Sequence, residues 1–299
     1  MKSIKDICKE VAGSELKTIA IAGISEEEIN LVKDAIGEKL ANFILVDEEI
    51  HTKKLIKKYG LDEENIRVVP VDCTSDAPAK AIELVKQGIA DIPMKGQVHT
   101  STFMKAILDK EKGISSGSRL SQMTMFDGYN GEPQFLTDCA INISPTLKEK
   151  VEIIQNAVEV FKNLYDKEPY VALLGAVETI SEKMPDTIDS AVITQMNRRG
   201  QIKDCIIDGP LSLDNAISKK YAEIKNIESS VAGKAQILVS SDLREANNVS
   251  KAIIHYSDRE ACSIIAGTKV PVVMTSRTDK PSNKINTIGM ACYLLQKKS

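Results

Sequence analysis

Short β-rich runs alternate with amphipathic stretches from Lys17 onward, and no other feature of the chain limits its fold so strongly. Thr18-Ile-Ala-Ile-Ala22 reads as a strand. Ser25-Glu-Glu-Glu28 then carries the capping-box spacing that opens a helix to about Leu40. Asn42–Val46, Ile66–Val71 and Asp91–Met94 read as further strands. Between them lie helical stretches at Ile50–Tyr59, closed by Gly60, and Pro78–Gln87, closed by Gly88. Such alternation predicts an α/β protein with mostly parallel sheets flanked by helices.

The alternation pauses once. Arg119–Phe126 and Pro133–Asp138 flank Asp127-Gly-Tyr-Asn-Gly131, whose Gly and Asn residues suit a tight antiparallel connection. Ser144-Pro145 is the expected start of a long helix running to about Tyr165, with Ser as N-cap and Pro in the first turn. A second α/β series follows, with strands at Val171–Leu174, Asp204–Ile207, Ala235–Val239 and Pro271–Thr275. Its helices are expected near Asp186–Arg198, Leu243–Tyr256 and Ile285–Gln296. At 299 residues the chain is long enough for two cores. The expected lobes are 1–143 plus 274–299 and 144–273, the last strand and helix returning to the first lobe.

Composition narrows the function classes. With 39 basic against 42 acidic residues the chain is near neutral and advertises neither a nucleic-acid nor a membrane surface. No apolar run approaches the roughly eighteen residues of a membrane span, and the first residues lack the apolar core of a signal peptide. The six cysteines are scattered without a C-x-x-C pair, which predicts plain thiols in a reducing cytosol and no zinc site. No G-x-G-x-x-G follows the first strand, which argues against a nicotinamide cofactor.

In open α/β sheets ligands meet the carboxyl ends of the strands. Four expected strand ends here are polar: Lys95-Gly96 with His99-Thr100, Asp208-Gly209-Pro210, Ser240-Ser241-Asp242, and Ser276-Arg277. Ser276-Arg277 offers a guanidinium fork and a hydroxyl to a phosphate, or is a surface loop with a Ser cap. Lys95-Gly96 fits close backbone approach to phosphate, or a strand-ending turn that needs Gly. His99 reads as a capping or partly buried histidine, without a catalytic role. Arg119 is an anion clamp or an ordinary exposed arginine, and Asp208-Gly209-Pro210 reads as turn chemistry.

Taken in order, several segments resemble the phosphate acetyl/butyryltransferase family, its butyryl branch in particular, over nearly the whole chain. They are Met94-Lys-Gly-Gln-Val-His-Thr100, Arg119-Leu-Ser121, Asp138-Cys-Ala-Ile-Asn142, Thr179–Met196, Asp208–Ile217, and Lys269-Val-Pro-Val272 with Ser276-Arg277. The resemblance implies two α/β lobes with an active-site cleft between them, the gross architecture also found in isocitrate and isopropylmalate dehydrogenases. It implies an acyltransferase that interconverts acyl-CoA plus phosphate with acyl phosphate plus CoA. A thiolate attacks directly in a ternary complex; coenzyme A is a substrate, and no cofactor or metal is bound.

Carried over, Ser276 and Arg277 hold phosphate, with Asp279 as the nearest carboxylate. Lys95, Gly96, His99, Thr100, Arg119, Asp208, Gly209, Pro210, Asp242 and Asn247 line the substrates. The partners implied are small molecules and further copies of the chain. Two departures stand out. The acetyl branch carries an Asp, proposed as the base, seven residues after the Ser, where this chain has Asn283, leaving the base unassigned. The family's Pro-Asp-x-x-x-Gly-Asn segment reads Ser241-Asp242-Leu-Arg-Glu-Ala246-Asn247. The rival expectations are an acetyl-specific enzyme, a degenerate CoA- or phosphate-binding homologue, and a decarboxylating dehydrogenase.

Overall fold

The structure is a computed structural model that describes residues 1–61 and 63–298. The chain forms two compact α/β units, one of residues 5–118 and 262–299, the other of residues 1–4 and 119–261. Both joints fall earlier than the 143/144 and 273/274 expected from the sequence. The first moves because the hairpin 121–137 pairs in parallel with a strand at 237–239, which places it in the second unit.

The first unit takes all but the first residue of helix α1 (Ile4–Ala12), which the sequence reading passed over. Ile4, Ile7 and Val11 fall on one helical face, and all three are buried. The remainder alternates as expected: β1 (Lys17–Ala22), α2 (Glu26–Gly37), β2 (Ala41–Asp47), α3 (Glu49–Tyr59), β3 (Ile66–Pro70), α4 (Ala77–Lys86) and β4 (Ile92–Lys95). Helix α5 (Thr100–Leu108) follows. The strands form a parallel sheet in the order β3-β2-β1-β4. Its central residues Ile19 to Ala22 and Phe43 to Val46 are at most 3% exposed, so the near-continuous apolar runs are those of strands covered on both faces.

Local signals act as read at two helix ends. Ser25 and Glu28 form the reciprocal capping box of α2, and Gly60 closes α3 at φ 62°, where an L side chain is strained.

The second unit starts with the hairpin β5 (Ser121–Asp127) and β6 (Pro133–Thr137), whose register pairs Asp127 with Pro133. Helix α6 (Leu147–Tyr165) begins later than Ser144-Pro145 suggested. Thr146 is its N-cap, because Thr146 and Glu149 complete a reciprocal box that Ser144 lacks. There follow β7 (Tyr170–Leu174), α7 (Pro185–Arg198), β8 (Ile206–Leu211), α8 (Leu213–Ile217), α9 (Lys219–Ile224), β9 (Ile237–Val239) and α10 (Leu243–Tyr256). These strands run in the order β5-β6-β9-β7-β8, parallel apart from the hairpin. Phe135, Phe161 and Tyr165 pack together beneath the sheet at ring separations of 5.5, 6.1 and 4.9 Å. Such edge-to-face and tilted aromatic contacts add to the burial of the rings themselves.

One expectation fails here. Asp208-Gly209-Pro210 is not a turn after a strand; it lies inside β8. The register between β7 and β8 shifts between Ala172 and Leu174, which absorbs the extra residue. Gly209 is required at that step, because a Cβ there would stand 2.7 Å from Leu173 Cβ and 2.8 Å from its carbonyl oxygen.

The chain then returns to the first unit through β10 (Ala261–Ala266) and α11 (Pro281–Lys298). Between them Val273 extends the first sheet: its N–H donates to Pro93 O at 3.0 Å and its carbonyl accepts from Lys95 N–H at 2.9 Å. Lys284 of α11 is ion-paired with Glu27 of α2.

Candidate active site

Pairing of Val273 with β4 sets the first cluster. Lys95-Gly96 ends β4, and Ser276-Arg277 follows the neighbouring extended segment, so two of the four polar strand ends lie side by side in one unit. The Lys95 Nζ is half-buried and donates to Gly96 O at 3.2 Å. Burial, then the Arg277 guanidinium, push the Lys95 ammonium below its usual range, with Glu28 pulling weakly the other way. Neither Lys95 nor Arg277 forms a salt bridge among the described residues. Two neighbouring cations without a salt-bridge partner are what an anion stabilises.

The backbone at this corner is built for close approach. A Cβ on Gly96 would stand 2.0 Å from Gly23 O and 3.0 Å from Ala22 O. Gly23, at φ 79°, accepts from Gln97 N–H at 2.9 Å. The adjoining Ile24 N–H donates to buried Asp47 at 2.7 Å. The sequence reading saw Gly23 only as a failed dinucleotide motif and did not single out Asp47, whose tie to Ile24 spans 23 residues. Gly96→Ala is expected to force the two strand ends apart, destabilising the protein by about 3 kcal/mol as overpacking does. Denaturant titration against the parent protein reads this directly; a shift below about 1 kcal/mol would show that the corner gives way without strain.

Ser276 is exposed and sits in a tight turn. Its N–H donates to Asp279 Oδ2 at 2.7 Å, Asp279 N–H donates to Ser276 O at 3.1 Å, and the Ser276 and Thr278 hydroxyls are 3.1 Å apart. Asp279 thus shapes the turn that presents Ser276. Asn283 lies in the first turn of α11 with only 4% of its surface exposed. His99 occupies the N-cap position of α5, but its ring makes no capping bond, and both His99 and Thr100 are exposed.

In the second unit the candidates form a different kind of cluster. Arg119 donates to Asn142 Oδ1 at 3.0 Å, is ion-paired with Glu149, and has Glu152 at 3.5 Å. Its charge is therefore already matched by α6. Buried Asp138 accepts from the N–H groups of Gln122, Ala140, Ile141 and Asn142 at 2.9 to 3.2 Å. Asn142 in turn donates to Leu120 O at 2.8 Å, and Asn247 Nδ2 donates to Cys139 O at 3.1 Å. Arg119, Asp138, Asn142 and Asn247 are one polar network fastening the ends of β5 and β6 to α6 and α10. Asp208 accepts from its own neighbour Gly209 N–H at 3.0 Å.

Asp242 caps α10 through Glu245 N–H at 3.0 Å and pairs with Arg244 at 2.8 Å. The sequence reading gave Glu245 no role. Its Oε2 accepts from Ser241 N–H at 2.8 Å and Ser241 Oγ at 3.1 Å. Burial, opposed by the two Ser241 donors and helped by Asp242 and Asp186, holds its carboxyl above the usual range. Beside it the buried Ser240 Oγ has no hydrogen-bond partner among the described residues and faces a small cavity lined by Lys150, Asp186, Asp189 and Ser190.

The cysteines form no disulfide with one another, and burial pushes the thiols of Cys139, Cys205 and Cys292 up to about 12, too high for a thiolate nucleophile near neutrality. Among the described residues no helix is long and apolar enough to cross a membrane, and no three His, Cys, Asp or Glu side chains gather at metal-holding distance.

Known proteins share this layout. A family model described as phosphate acetyl/butaryl transferase matches residues 71–292. The phosphate butyryltransferase of Clostridium acetobutylicum is 37% identical over 300 residues, spanning 100% of each chain. The phosphate acetyltransferase of Thermotoga maritima is 35% identical, over 94% of this chain and 96% of its own. The solved structure of a branched-chain phosphotransacylase from Enterococcus faecalis V583 superposes with a TM-score of 0.84 at 31% identity, covering 94% of this chain and 99% of that one.

Proposed function

The chain belongs to the phosphate acetyl/butyryl transferase family, and from that premise we propose that it moves a butyryl-sized acyl group between coenzyme A and inorganic phosphate. The observation that carries the reading is the Lys95 and Arg277 pair, two neighbouring cations at adjacent strand ends that form no salt bridge among the described residues. A phosphate dianion supplies the missing charge. The Arg277 fork takes two of its oxygens, Ser276 Oγ donates to a third, and Lys95 adds a half-buried positive charge.

In the direction of thioester formation, the thiolate of coenzyme A attacks the acyl carbon of the acyl phosphate. The bond from that carbon to the bridging oxygen breaks, and phosphate leaves with the electron pair into the same cationic corner. Charge that grows on the leaving oxygens is met by groups already in place, which is the economical way to lower such a barrier. Asp279 contributes by fixing the turn that aims Ser276. Gly96 permits close backbone approach, and His99 and Thr100 border the corner from the start of α5.

For the second unit, Arg119 serves as a strut of the Asp138 network, since its guanidinium is already engaged by Glu149, Glu152 and Asn142. Asp242 and Asn247 hold the start of α10, and Asp208, Gly209 and Pro210 shape the bulged end of β8. Self-association and a cytosolic setting complete the proposal, the latter supported by six cysteines that form no disulfide with one another.

Butyryl phosphate mixed with coenzyme A and purified protein should give thioester absorbance and free phosphate in equal amounts, faster than acetyl phosphate does. Acetyl phosphate reacting faster would move the assignment to the acetyl branch. Binding of coenzyme A without turnover would favour the degenerate homologue.

A further inference from the structure

An acyl phosphate is a mixed anhydride, and an uncharged amine beside it competes with a thiol for the acyl carbon. The corner that the proposed reaction gives to phosphate contains such an amine. We propose that Lys95, resting on the acyl-transfer reading above, is a self-acylation site: butyryl phosphate held at Ser276 and Arg277 passes its acyl group to Lys95 Nζ when no coenzyme A takes it, and the modified protein loses turnover.

All the groups involved lie in the unit of residues 5–118 and 262–299. Lys95 is the last residue of β4, and its N–H donates to Val273 O at 2.9 Å, on the segment that leads into Ser276. Lys95 and the anion-holding pair therefore stand at the ends of neighbouring extended segments. The Nζ is half-buried, its hydrogen bond runs to Gly96 O at 3.2 Å, and no carboxylate pairs with it among the described residues. A carbonyl accepts from a neutral amine as well as from an ammonium, so this bond survives loss of the proton.

That proton is held weakly. Burial, then the Arg277 guanidinium, keep the Lys95 ammonium below its usual range, and Glu28 on α2 opposes them; these are the charged groups that face it. Desolvation beside a second cation is a setting that makes a lysine nucleophilic. Other lysines are placed differently. Lys58, Lys162 and Lys225 are pushed up by their hydrogen bonds to Glu26, Asp204 and Glu178. Lys284 is lowered by burial as Lys95 is, but it is ion-paired with Glu27.

The step balances without an added reagent. Lys95 releases its ammonium proton to solvent, and the nitrogen pair forms the bond to the acyl carbon. The bond from that carbon to the bridging oxygen breaks with its pair on phosphate, which takes the surplus N–H proton. The products are an amide and inorganic phosphate. A bound phosphoryl group favours the ammonium, so only a minor neutral fraction attacks and the modification is slow beside transfer to coenzyme A. The amide carries no charge, so the corner loses one of its two cations.

The test incubates the protein with butyryl phosphate and no coenzyme A, maps acylated lysines by peptide mass spectrometry, and measures turnover once butyryl phosphate is removed. Lys95 should gain a butyryl group at least roughly tenfold faster than the exposed Lys53 and Lys219, because the corner holds the donor beside it. Turnover should fall in step with that label, the phosphate KM of the modified protein should rise, and added inorganic phosphate should slow the labelling. Lys95→Arg keeps the positive charge but offers no amine, so it should hold its own starting rate through the same incubation, with a melting curve to check its fold. Labelling of Lys95 no faster than that of Lys53 and Lys219, labelling indifferent to phosphate, or turnover that survives full labelling overturns the inference. A folded Lys95→Arg that loses its rate as the parent does overturns it equally. Where that variant does not fold, the parent's labelling map and its phosphate protection decide alone. A parent protein without turnover before any incubation removes the acyl-transfer reading itself, whereas an active parent with Lys95 unlabelled removes this inference alone.

Discussion

Arg277→Ala is expected to lower turnover by at least roughly a hundredfold while leaving the unfolding curve in place. The two halves of that expectation have separate causes. Arg277 is exposed and makes no salt bridge among the described residues, so its removal takes nothing from the packed interior. Its charge is the one that disturbs Lys95 most after burial, and its guanidinium can grip two phosphate oxygens at once. Losing a preorganised donor aimed at developing charge costs several kcal/mol of barrier in comparable sites, which is a factor of about a hundred or more in rate. Phosphate saturation curves of the variant check it. A near-parental kcat with a normal phosphate KM would take Arg277 out of the chemistry.

Asp138→Ala should be the most destabilising single change in the second unit, by about 4 kcal/mol, with the damage read in denaturant titrations of the whole chain. The carboxylate is 5% exposed and accepts from four backbone N–H groups. Alanine leaves those donors buried without acceptors, each costing about 1–3 kcal/mol before the segment relaxes. Asp138→Asn keeps one acceptor oxygen and should cost about half as much. A loss under about 1 kcal/mol for the alanine variant would mean that water reaches the segment and replaces the acceptor. Both carry a corollary for Arg119: once the 138–142 segment slackens, its Asn142 partner goes with it, so activity should fall with stability rather than independently.

What the sequence disclosed depended on how local the signal was. The capping box at Ser25 and Glu28, the Gly60 stop and the Asp127–Gly131 turn each lie within a few residues, and each forms as read. Helix α5 was missed because only Phe103 and Ile107 of its nine residues are buried, too few for a stripe. β8 was cut short because Asp-Gly-Pro is ordinary turn chemistry, and only the neighbouring Leu173 reveals why Gly209 belongs inside a strand.

The site divides the same way. Lys95 and Ser276-Arg277 were legible through the rule that ligands meet strand ends, and the pairing of Val273 with β4 brings them together. The engagement of Arg119 was hidden because its carboxylate partner Glu149 is 30 residues away and its exposure is set by α6. Glu245 was hidden for a related reason. Its carboxyl is held above the usual range by burial first, then by Asp242 and by Asp186 on another helix, and burial has no sequence motif.

The central claim is tested most directly by thiol release from butyryl-CoA, followed with a thiol-reactive dye, with and without inorganic phosphate and with acetyl-CoA as comparator. The account predicts release that depends on phosphate and is faster with butyryl-CoA. Release indifferent to phosphate, or none from any acyl-CoA, would contradict it.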